Sequence, residues 1–214
     1  MFANFTYFNP VKLIFGKETI SKLSKNIPAN VKILMTYGGG SIFKNGVYEQ
    51  VITALAGYEI IEFGGIEANP TFETLMKAVE IGRENKIDFL LAVGGGSVLD
   101  GTKFIAAAIP FTGGDEWNNI VCGKAKYKNA IPIGTILTLP ATGSEMNIWA
   151  VISRASTKEK LGMGDVQLYP KFSILDPEVT YSLPKKQVAN GITDAFVHVM
   201  EQYLTYPVNA EIQD

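Results

Sequence analysis

Short apolar runs alternate with longer amphipathic stretches along most of the chain, and this alternation constrains the fold more than any other feature. The apolar runs have the length of buried strands, whereas the stretches between them carry apolar residues at helical spacing. The predicted strands span residues 32–37, 58–63, 88–93 and 134–139, and the predicted helices span residues 42–55, 71–85 and 97–109. Continuous apolar strands that alternate with helices predict an α/β fold, in which a parallel sheet is covered on both faces.

The character of the sequence changes after about residue 169. Residues 172–177 predict one last strand and turn, and Pro184 stands where proline is favoured at the start of a helix. An apolar stripe follows along this helix, formed by Ile192, Phe196, Val199 and Tyr203. We therefore expect residues 1–180 to form one α/β domain. The apolar stripe on the helix that follows needs partners that this sequence does not supply. Residues 181–214 are then the beginning of a helical domain that continues beyond the sequence.

The charge balance and the residue counts disfavour several classes of protein. The 19 Lys and Arg residues are offset by 21 Asp and Glu residues without a long run of either sign, which argues against a nucleic-acid-binding protein. The single cysteine, Cys122, excludes an internal disulfide and is typical of a reducing compartment. The N-terminus lacks the pattern of a secretion signal, and the apolar stretches are shorter than the ~20 residues that cross a bilayer. We therefore expect a cytoplasmic protein without a membrane or nucleic-acid partner.

Two predicted strands end in glycine triplets, at residues 38–40 and 94–96, and each triplet is followed by a serine. Ligands of open α/β sheets bind at the carboxyl ends of the strands, where these loops must lie, and glycine lets the backbone approach a phosphate closely. Neither loop matches a standard fingerprint: Phe43 stands where the dinucleotide pattern needs glycine, and Thr102-Lys103 reverses the order of the P-loop. An NTPase is therefore disfavoured, whereas two triplets at equivalent strand ends favour phosphate binding. The alternative is that the glycines simply terminate strands.

Two further segments carry groups that are suited to ligand binding. The loop at residues 140–147 follows a strand and combines small hydroxyl side chains with glycine, which suits contacts to ribose or phosphate. The alternative is an ordinary polar turn. Asp194 and His198 are four residues apart on the predicted C-terminal helix and therefore share one face. A carboxylate and an imidazole so placed can bind one transition metal, and the alternative is a solvated ion pair.

Several motifs in order along the chain resemble those of the iron-containing (group III) alcohol dehydrogenases. They are the runs at residues 94–100 and 138–145, the pair Asp176-Pro177 and the run at residues 194–203. Within the family, the chain is most similar to NADPH-linked aldehyde reductases and butanol dehydrogenases of bacteria. The resemblance implies a parallel-sheet nucleotide-binding domain of the dehydroquinate-synthase-like type over residues 1–180. It also implies that residues 181–214 begin an all-helical, metal-binding catalytic domain.

The resemblance also implies the identity of the site residues. The family binds iron or zinc through one aspartate and three histidines, so Asp194 and His198 are the expected metal ligands and catalytic residues. His198 is the single histidine of the chain, and the other two are expected beyond residue 214. The implied contacts are Gly95, Gly96 and Ser97 to the pyrophosphate, with Asp100 close by; Thr138, Thr142 and Asn147 along the adenosine and nicotinamide channel; Lys160 toward the ribose region; and Gly38, Gly39, Ser41 and Asn69 around the adenine-side ribose.

The first glycine loop indicates which dinucleotide is preferred. An NAD-dependent relative is expected to carry a carboxylate there, which bonds the 2′-hydroxyl and repels a 2′-phosphate. Gly39 occupies that position, Ser41 is beside it and Lys44 follows, so the loop favours NADP, with NAD as the alternative. Glu62, at the end of the next strand, is the feature that argues for NAD.

The implied activity is a metal-dependent, NAD(P)-linked interconversion of alcohols and aldehydes, with Fe(II) or Zn(II) as the metal. A small-molecule alcohol or aldehyde is the expected partner, and a homodimer is the expected assembly. Two alternatives stay open: a catalytically incompetent nucleotide-binding fragment, and a glycerol dehydrogenase or dehydroquinate synthase relative, against which the run at residues 140–145 argues. Trp149 replaces a residue that is typically small or polar in relatives. It either narrows the substrate pocket or covers the nicotinamide, or it is only a packing or exposed aromatic.

Overall fold

A computed structural model describes residues 6–126 and 128–205 of the chain. The strands are β1 (Lys12–Phe15), β2 (Lys32–Tyr37), β3 (Glu59–Phe63), β4 (Phe89–Gly95), β5 (Ile133–Leu139), β6 (Trp149–Arg154), β7 (Glu159–Gly164) and β8 (Phe172–Leu175). The α-helices are α1 (Val47–Ala54), α2 (Phe72–Glu84), α3 (Gly96–Ala108) and α4 (Lys185–Thr205). Short 3₁₀ turns lie at Thr19–Lys25, Ser41–Phe43, Ser144–Met146, Val166–Leu168 and Pro177–Thr180, and a π-helical turn lies at Trp117–Val121.

The main sheet contains six parallel strands in the order β1-β8-β5-β4-β2-β3. The predicted parallel α/β sheet is therefore confirmed. Side chains of β2 and β4 alternate between two hydrophobic cores: Leu34 and Leu90 face the core beneath α2 and α3, whereas Ile33 and Leu91 face the core beneath α1. Because both faces of these strands are buried, their sequences are continuously apolar.

The sequence prediction missed or misplaced three elements. The short edge strand β1 was not predicted. The helix predicted at residues 42–55 is a 3₁₀ turn followed by α1, because Gly46 has a φ of 76° and interrupts the helical backbone. The antiparallel hairpin of β6 and β7 was not predicted either. Its Arg154 lies 5.7 Å from the ring centroid of Phe72 and 5.4 Å from that of Trp117, which attaches the hairpin to the core.

Helix α4 packs differently from the other helices. Gly191 is its one buried residue over residues 185–204, and a Cβ there would lie 2.8 Å from the carbonyl oxygen of Pro140. The close approach to the loop after β5 therefore depends on glycine. The predicted apolar stripe is present but exposed, with 66% of Ile192 and 63% of Phe196 accessible. The domain boundary near residue 180 stays a prediction, and residues 206–214 of the predicted helical domain lie outside the described residues.

Among the described residues, no helix combines the length and the apolar content that a membrane crossing requires.

Candidate functional site

The candidate site lies at the carboxyl ends of β4 and β5. Strand β4 runs into the second glycine triplet and is followed at once by α3, while the loop after β5 turns across the start of this helix. A Cβ on Gly96 would lie 2.4 Å from Oγ1 of Thr142, so the two segments can approach only because residue 96 is glycine. The glycine therefore brings the first turn of α3 against the loop that follows β5.

The N-terminus of α3 can receive an anion. No side chain caps its first turn, and its N-cap residue is Gly95. The first amide groups of a helix have no carbonyl partner within the helix, and the helix dipole makes this end positive. Gly96 and Ser97 line a cleft at this point. The arrangement suits a phosphate group.

The cleft has a volume of about 870 Å³ and two walls. The α3 wall consists of Gly96, Ser97 and Asp100, the loop residues Ala141–Ser144 and Asn147, and Trp149, Val151 and Lys160 of the hairpin, with Asn69 and Pro70 at its rim. The α4 wall consists of Asp194, Ala195, His198 and Gln202. Of the predicted site residues, the cleft brings together Asn69, Gly96, Ser97, Asp100, Thr142, Asn147, Lys160, Asp194 and His198.

The other predicted cofactor contacts lie near this cleft but do not line it. Gly95 packs against Leu139, and Thr138 is buried within β5. The first glycine loop sits beside the start of α3: Gly38 approaches Val98, and its carbonyl accepts from the amide of Gly65. Gly39 has open space around its Cα and Ser41 is exposed, so both are accessible to a ligand that extends beyond the cleft.

The carboxylate of Glu62 is engaged by two tyrosines beside the first glycine loop. It accepts hydrogen bonds from the hydroxyl groups of Tyr37 at 3.1 Å and Tyr48 at 2.7 Å. The hydrogen bond to Glu62 raises the pKa of Tyr48, and burial together with the same carboxylate raises the pKa of Tyr37. These bonds fix the one acidic group that argued for NAD.

A chain of hydrogen bonds links the rim of the cleft to the helix start. Nζ of Lys160 donates to Oδ1 of Asn69 at 2.8 Å, and the amide of Asn69 donates to Oγ of Ser97 at 3.3 Å. Because Oγ of Ser97 accepts this bond, its hydroxyl proton stays available for a ligand. Lys160 adds a positive charge near the helix terminus, which suits an anionic ligand.

Sequence reasoning missed a buried lysine beneath the α3 wall. Lys103 is 1% exposed, and burial lowers its pKa to about 8 against the opposing pull of the Asp100 and Glu145 carboxylates. Burial likewise raises the pKa of Asp100, while hydrogen bonds from Ser144 and the amide of Val151 act in the opposite direction. The sequence carried one indication of this pair, since Asp100 and Lys103 are three residues apart on α3.

Trp149 lies at the start of β6 and lines the cleft with 60% of its surface exposed. Its ring covers Gly164 of β7, where a Cβ would lie 2.6 Å from the indole. Trp149 is thus both an exposed aromatic and part of the cleft. A ligand that occupies the cleft would meet a flat apolar surface on this side.

The pair on the α4 wall has the geometry that the spacing predicts. Nε2 of His198 lies 3.7 Å from Oδ2 of Asp194, and both side chains are about half exposed. A separation of 3.7 Å allows both atoms to lie within ~2.1 Å of one ion, and imidazole with carboxylate is a donor set that suits iron or zinc. Within residues 6–126 and 128–205, no three His, Cys, Asp or Glu side chains group closely enough to hold a metal ion. The described chain thus offers two ligands, and their role stays a prediction.

Comparisons with known proteins agree with this architecture. The chain is 55% identical over 212 residues to NADPH-dependent aldehyde reductase YqhD of Escherichia coli, which covers 99% of the chain and 55% of that protein. It is 49% identical to NADP-dependent alcohol dehydrogenase 3 of Entamoeba histolytica, over 98% of the chain and 56% of the relative. The chain therefore spans about half the length of the curated relatives it matches.

Solved structures and a family model also match the chain to alcohol dehydrogenases and aldehyde reductases. The crystal structure of E. coli YqhD matches with a TM-score of 0.93 and 54% identity, over 98% of this chain and 54% of that one. NADH-dependent butanol dehydrogenase A of Thermotoga maritima matches with a TM-score of 0.89 and 43% identity, over 98% and 54%. The family model described as iron-containing alcohol dehydrogenase matches residues 10–177, which is most of the chain. The chain belongs to the iron-containing alcohol dehydrogenase family.

Proposed function

We propose that this chain is part of an enzyme that interconverts alcohols and aldehydes with NADP(H) and a bound Fe(II) or Zn(II) ion. One observation carries the proposal: the uncapped start of α3 and the Asp194–His198 pair line the same cleft. A dinucleotide whose phosphates rest at the helix terminus would then share the cleft with the proposed metal ligands. The names of the E. coli and E. histolytica relatives support the same reaction class and the same cofactor.

The α3 wall supplies the groups that bind the dinucleotide. Amide groups at Gly96 and Ser97, together with the Ser97 hydroxyl, would donate to the pyrophosphate oxygens. Lys160, held by Asn69, would contribute positive charge toward the ribose region. Asn147 and Thr142 would border the channel toward the nicotinamide. Each of these groups binds and orients the cofactor without transferring a proton.

The α4 wall supplies metal ligands. Asp194 and His198 would hold the ion through Oδ2 and Nε2, and further ligands would come from outside the described residues. When bound, the metal supplies Lewis-acid polarisation of the aldehyde carbonyl, and NADPH supplies the hydride. Trp149 forms an apolar surface in the same cleft and would exclude water beside the reacting carbon.

We propose NADP as the preferred dinucleotide. The first glycine loop, residues 38–44, contains no acidic side chain, and it ends with Lys44, which suits a 2′-phosphate. Glu62 is already engaged by Tyr37 and Tyr48, so its carboxylate is less available to a ribose hydroxyl. NAD is the competing assignment, because a 50% identical Bacillus subtilis relative is named a probable NADH-dependent butanol dehydrogenase.

The substrate class, the assembly and the cellular location are also proposed. A small-molecule alcohol or aldehyde is the substrate class, and a cytoplasmic homodimer without a nucleic-acid or membrane partner is the proposed form. The near balance of acidic and basic residues supports the absence of a nucleic-acid partner, and the single cysteine supports a reducing compartment.

The test measures binding and turnover by the 214-residue chain. Calorimetry should detect NADP⁺ binding that is tighter than NAD⁺ binding. NADPH oxidation with a panel of aldehydes, with Fe(II) or Zn(II) added, then measures activity, and glycerol oxidation tests the related specificity. Asp194→Asn and His198→Ala should lower Zn(II) affinity by about tenfold or more and leave NADP⁺ affinity within twofold.

Thr193→Val serves as the matched control, since Thr193 is an exposed neighbour whose hydroxyl bonds the carbonyl of Ala189 on its own helix. This variant should bind zinc as the wild type does. A wild-type chain that binds neither dinucleotide would overturn the proposal.

A nucleotide-binding fragment without activity is the second candidate function. The observation that favours it is that the described residues offer only Asp194 and His198 as candidate metal ligands, whereas catalytic zinc sites usually have three protein ligands. NADP⁺ binding without aldehyde reduction at saturating metal would support this candidate, and a robust rate from the chain would exclude it.

A further inference from the structure

The amine of Lys103 makes three hydrogen bonds beneath the α3 wall. Nζ donates to Oγ of Ser144 at 2.8 Å, to Oδ1 of Asn147 at 3.0 Å and to the carbonyl oxygen of Trp149 at 2.7 Å. A protonated lysine has three donors and no acceptor, so every donor is used. The side chain is 1% exposed and does not line the cleft, so a ligand there would not touch it.

These bonds determine how Asn147 faces the cleft. Its Oδ1 accepts from Nζ of Lys103 and from the amide of Trp149 at 2.9 Å. The amide nitrogen has no partner in the described part of the chain, and Asn147 lines the cleft. An asparagine amide can in principle rotate and exchange its donor for its acceptor. Rotation here would turn an NH₂ group toward an ammonium group, and both can only donate.

Asp100 secures the same arrangement from the other side. Oγ of Ser144 accepts from Lys103 and donates to Oδ1 of Asp100 at 2.7 Å. Oδ2 of Asp100 accepts from the amide of Val151 at 2.9 Å. The carboxylate therefore fixes the hydroxyl that accepts one hydrogen bond from Lys103. The other two donors of Lys103 are then directed at Asn147 and Trp149.

We propose that Lys103 is a positioning residue that keeps the amide nitrogen of Asn147 turned into the cleft, so that this wall accepts only a ligand with a hydrogen-bond acceptor oxygen at that point. The inference rests on the proposed function, in which that oxygen belongs to the bound dinucleotide. The competing explanation is structural: Lys103 would only anchor the loop at residues 140–147, whatever the orientation of Asn147.

A second buried anchor of the same loop separates the two explanations. Oγ of Ser173 accepts from Oγ1 of Thr135 at 2.8 Å and donates to the carbonyl oxygen of Glu145 at 2.6 Å. It holds the loop without contacting Asn147. Ser173→Ala is therefore the matched control for loss of a loop anchor alone.

The experiment measures NADP⁺ affinity by calorimetry for the 214-residue chain and its variants. Lys103→Met should weaken binding by about fivefold in the wild-type background and by less than twofold in an Asn147→Ala background, because it acts through that amide. Asn147→Asp retains an acceptor for Lys103 and Trp149 but presents an acceptor to the cleft, so it should weaken binding by more than about tenfold without lowering Tm. Ser173→Ala should leave the affinity within twofold.

Three results would overturn the inference while the wild type still binds NADP⁺: an equal loss from Lys103→Met in both backgrounds, wild-type affinity of Asn147→Asp, or a loss from Ser173→Ala that equals that of Lys103→Met. If Lys103→Met does not fold, wild-type affinity of Asn147→Asp would by itself overturn the inference. A wild-type chain that does not bind NADP⁺ overturns the proposed function itself, which is a different outcome.

Discussion

The two walls of the cleft are held in place in different ways. The α3 wall rests on the sheet, and Asp100 and the buried Lys103 both form hydrogen bonds with the buried Ser144. The α4 wall approaches the rest of the chain at Gly191, and its Asp194 and His198 are half exposed. A site whose supports are buried and hydrogen-bonded is preorganised. The comparison therefore predicts that changes in the α3 wall will affect dinucleotide affinity strongly and changes in α4 weakly.

The largest effect is expected at Gly96. A Cβ there would lie 2.4 Å from Oγ1 and 2.6 Å from Cγ2 of Thr142, so Gly96→Ala must push the loop away from the start of α3. We expect the NADP⁺ Kd to rise by about 100-fold, or about 3 kcal/mol, as measured by calorimetry. Gly162→Ala is the control, because a Cβ at Gly162 meets no atom within 4 Å. A Gly96→Ala protein that binds within threefold of wild type would show that the α3 wall is more adaptable than its packing indicates.

The sequence predicted the fold best for strands that are buried on both faces. Strands β2 and β4 are buried on both faces, so their apolar runs stand out against the amphipathic helices between them. The hairpin of β6 and β7 was missed because its strands are only partly buried and its attachment through Arg154 depends on two distant aromatic rings. Residues 42–55 were predicted as one helix because their apolar residues recur at helical spacing, but the positive φ of Gly46 interrupts the helix.

The candidate site was predictable in its parts but not in its supports. Local patterns and the family motifs pointed to the glycine loop and to the pair on α4, since each lies within a short segment. Lys103 was missed because its partners Ser144, Asn147 and Trp149 are 41 to 46 residues away in sequence. Only the fold brings them together. For the same reason, the sequence left the role of Trp149 open. In the structure, Trp149 lines the cleft.

The support beneath the α3 wall should be visible as pH-dependent stability. The native pKa of Lys103 is about 8, against 10.5 for an unperturbed lysine. Between these pH values the unfolded chain binds a proton that the native chain does not, so the free energy of unfolding rises with pH through this window. Relative to Lys103→Met, which lacks the group, the wild type should gain about 2 kcal/mol between pH 7.5 and pH 10 in urea titrations.

The comparison with Lys103→Met cancels the titration of the other lysines and tyrosines, which both proteins share. Lys32→Met is a further control, since Lys32 lies at the exposed end of its strand and pairs with Glu59 at the surface. Its difference from the wild type should change by less than about 0.5 kcal/mol over the same range. A constant difference between wild type and Lys103→Met would mean that the buried amine keeps its proton throughout, and that the α3 wall is not under electrostatic strain.

The smallest effect is expected at the contact of the α4 wall with the loop after β5. Replacing glycine by alanine inside a helix normally stabilises it by about 1 kcal/mol. At Gly191 the added Cβ would lie 2.8 Å from the backbone oxygen of Pro140. Gly191→Ala should therefore destabilise the packing of α4 against this loop by about 1 kcal/mol. Hydrogen exchange of α4 should accelerate about fivefold, while NADP⁺ affinity stays within twofold. Asn190 is an exposed neighbour on the same helix, so Asn190→Ala should slow exchange through helix propensity. Equal protection in the two variants would mean that the contact at Gly191 does not hold α4 in place.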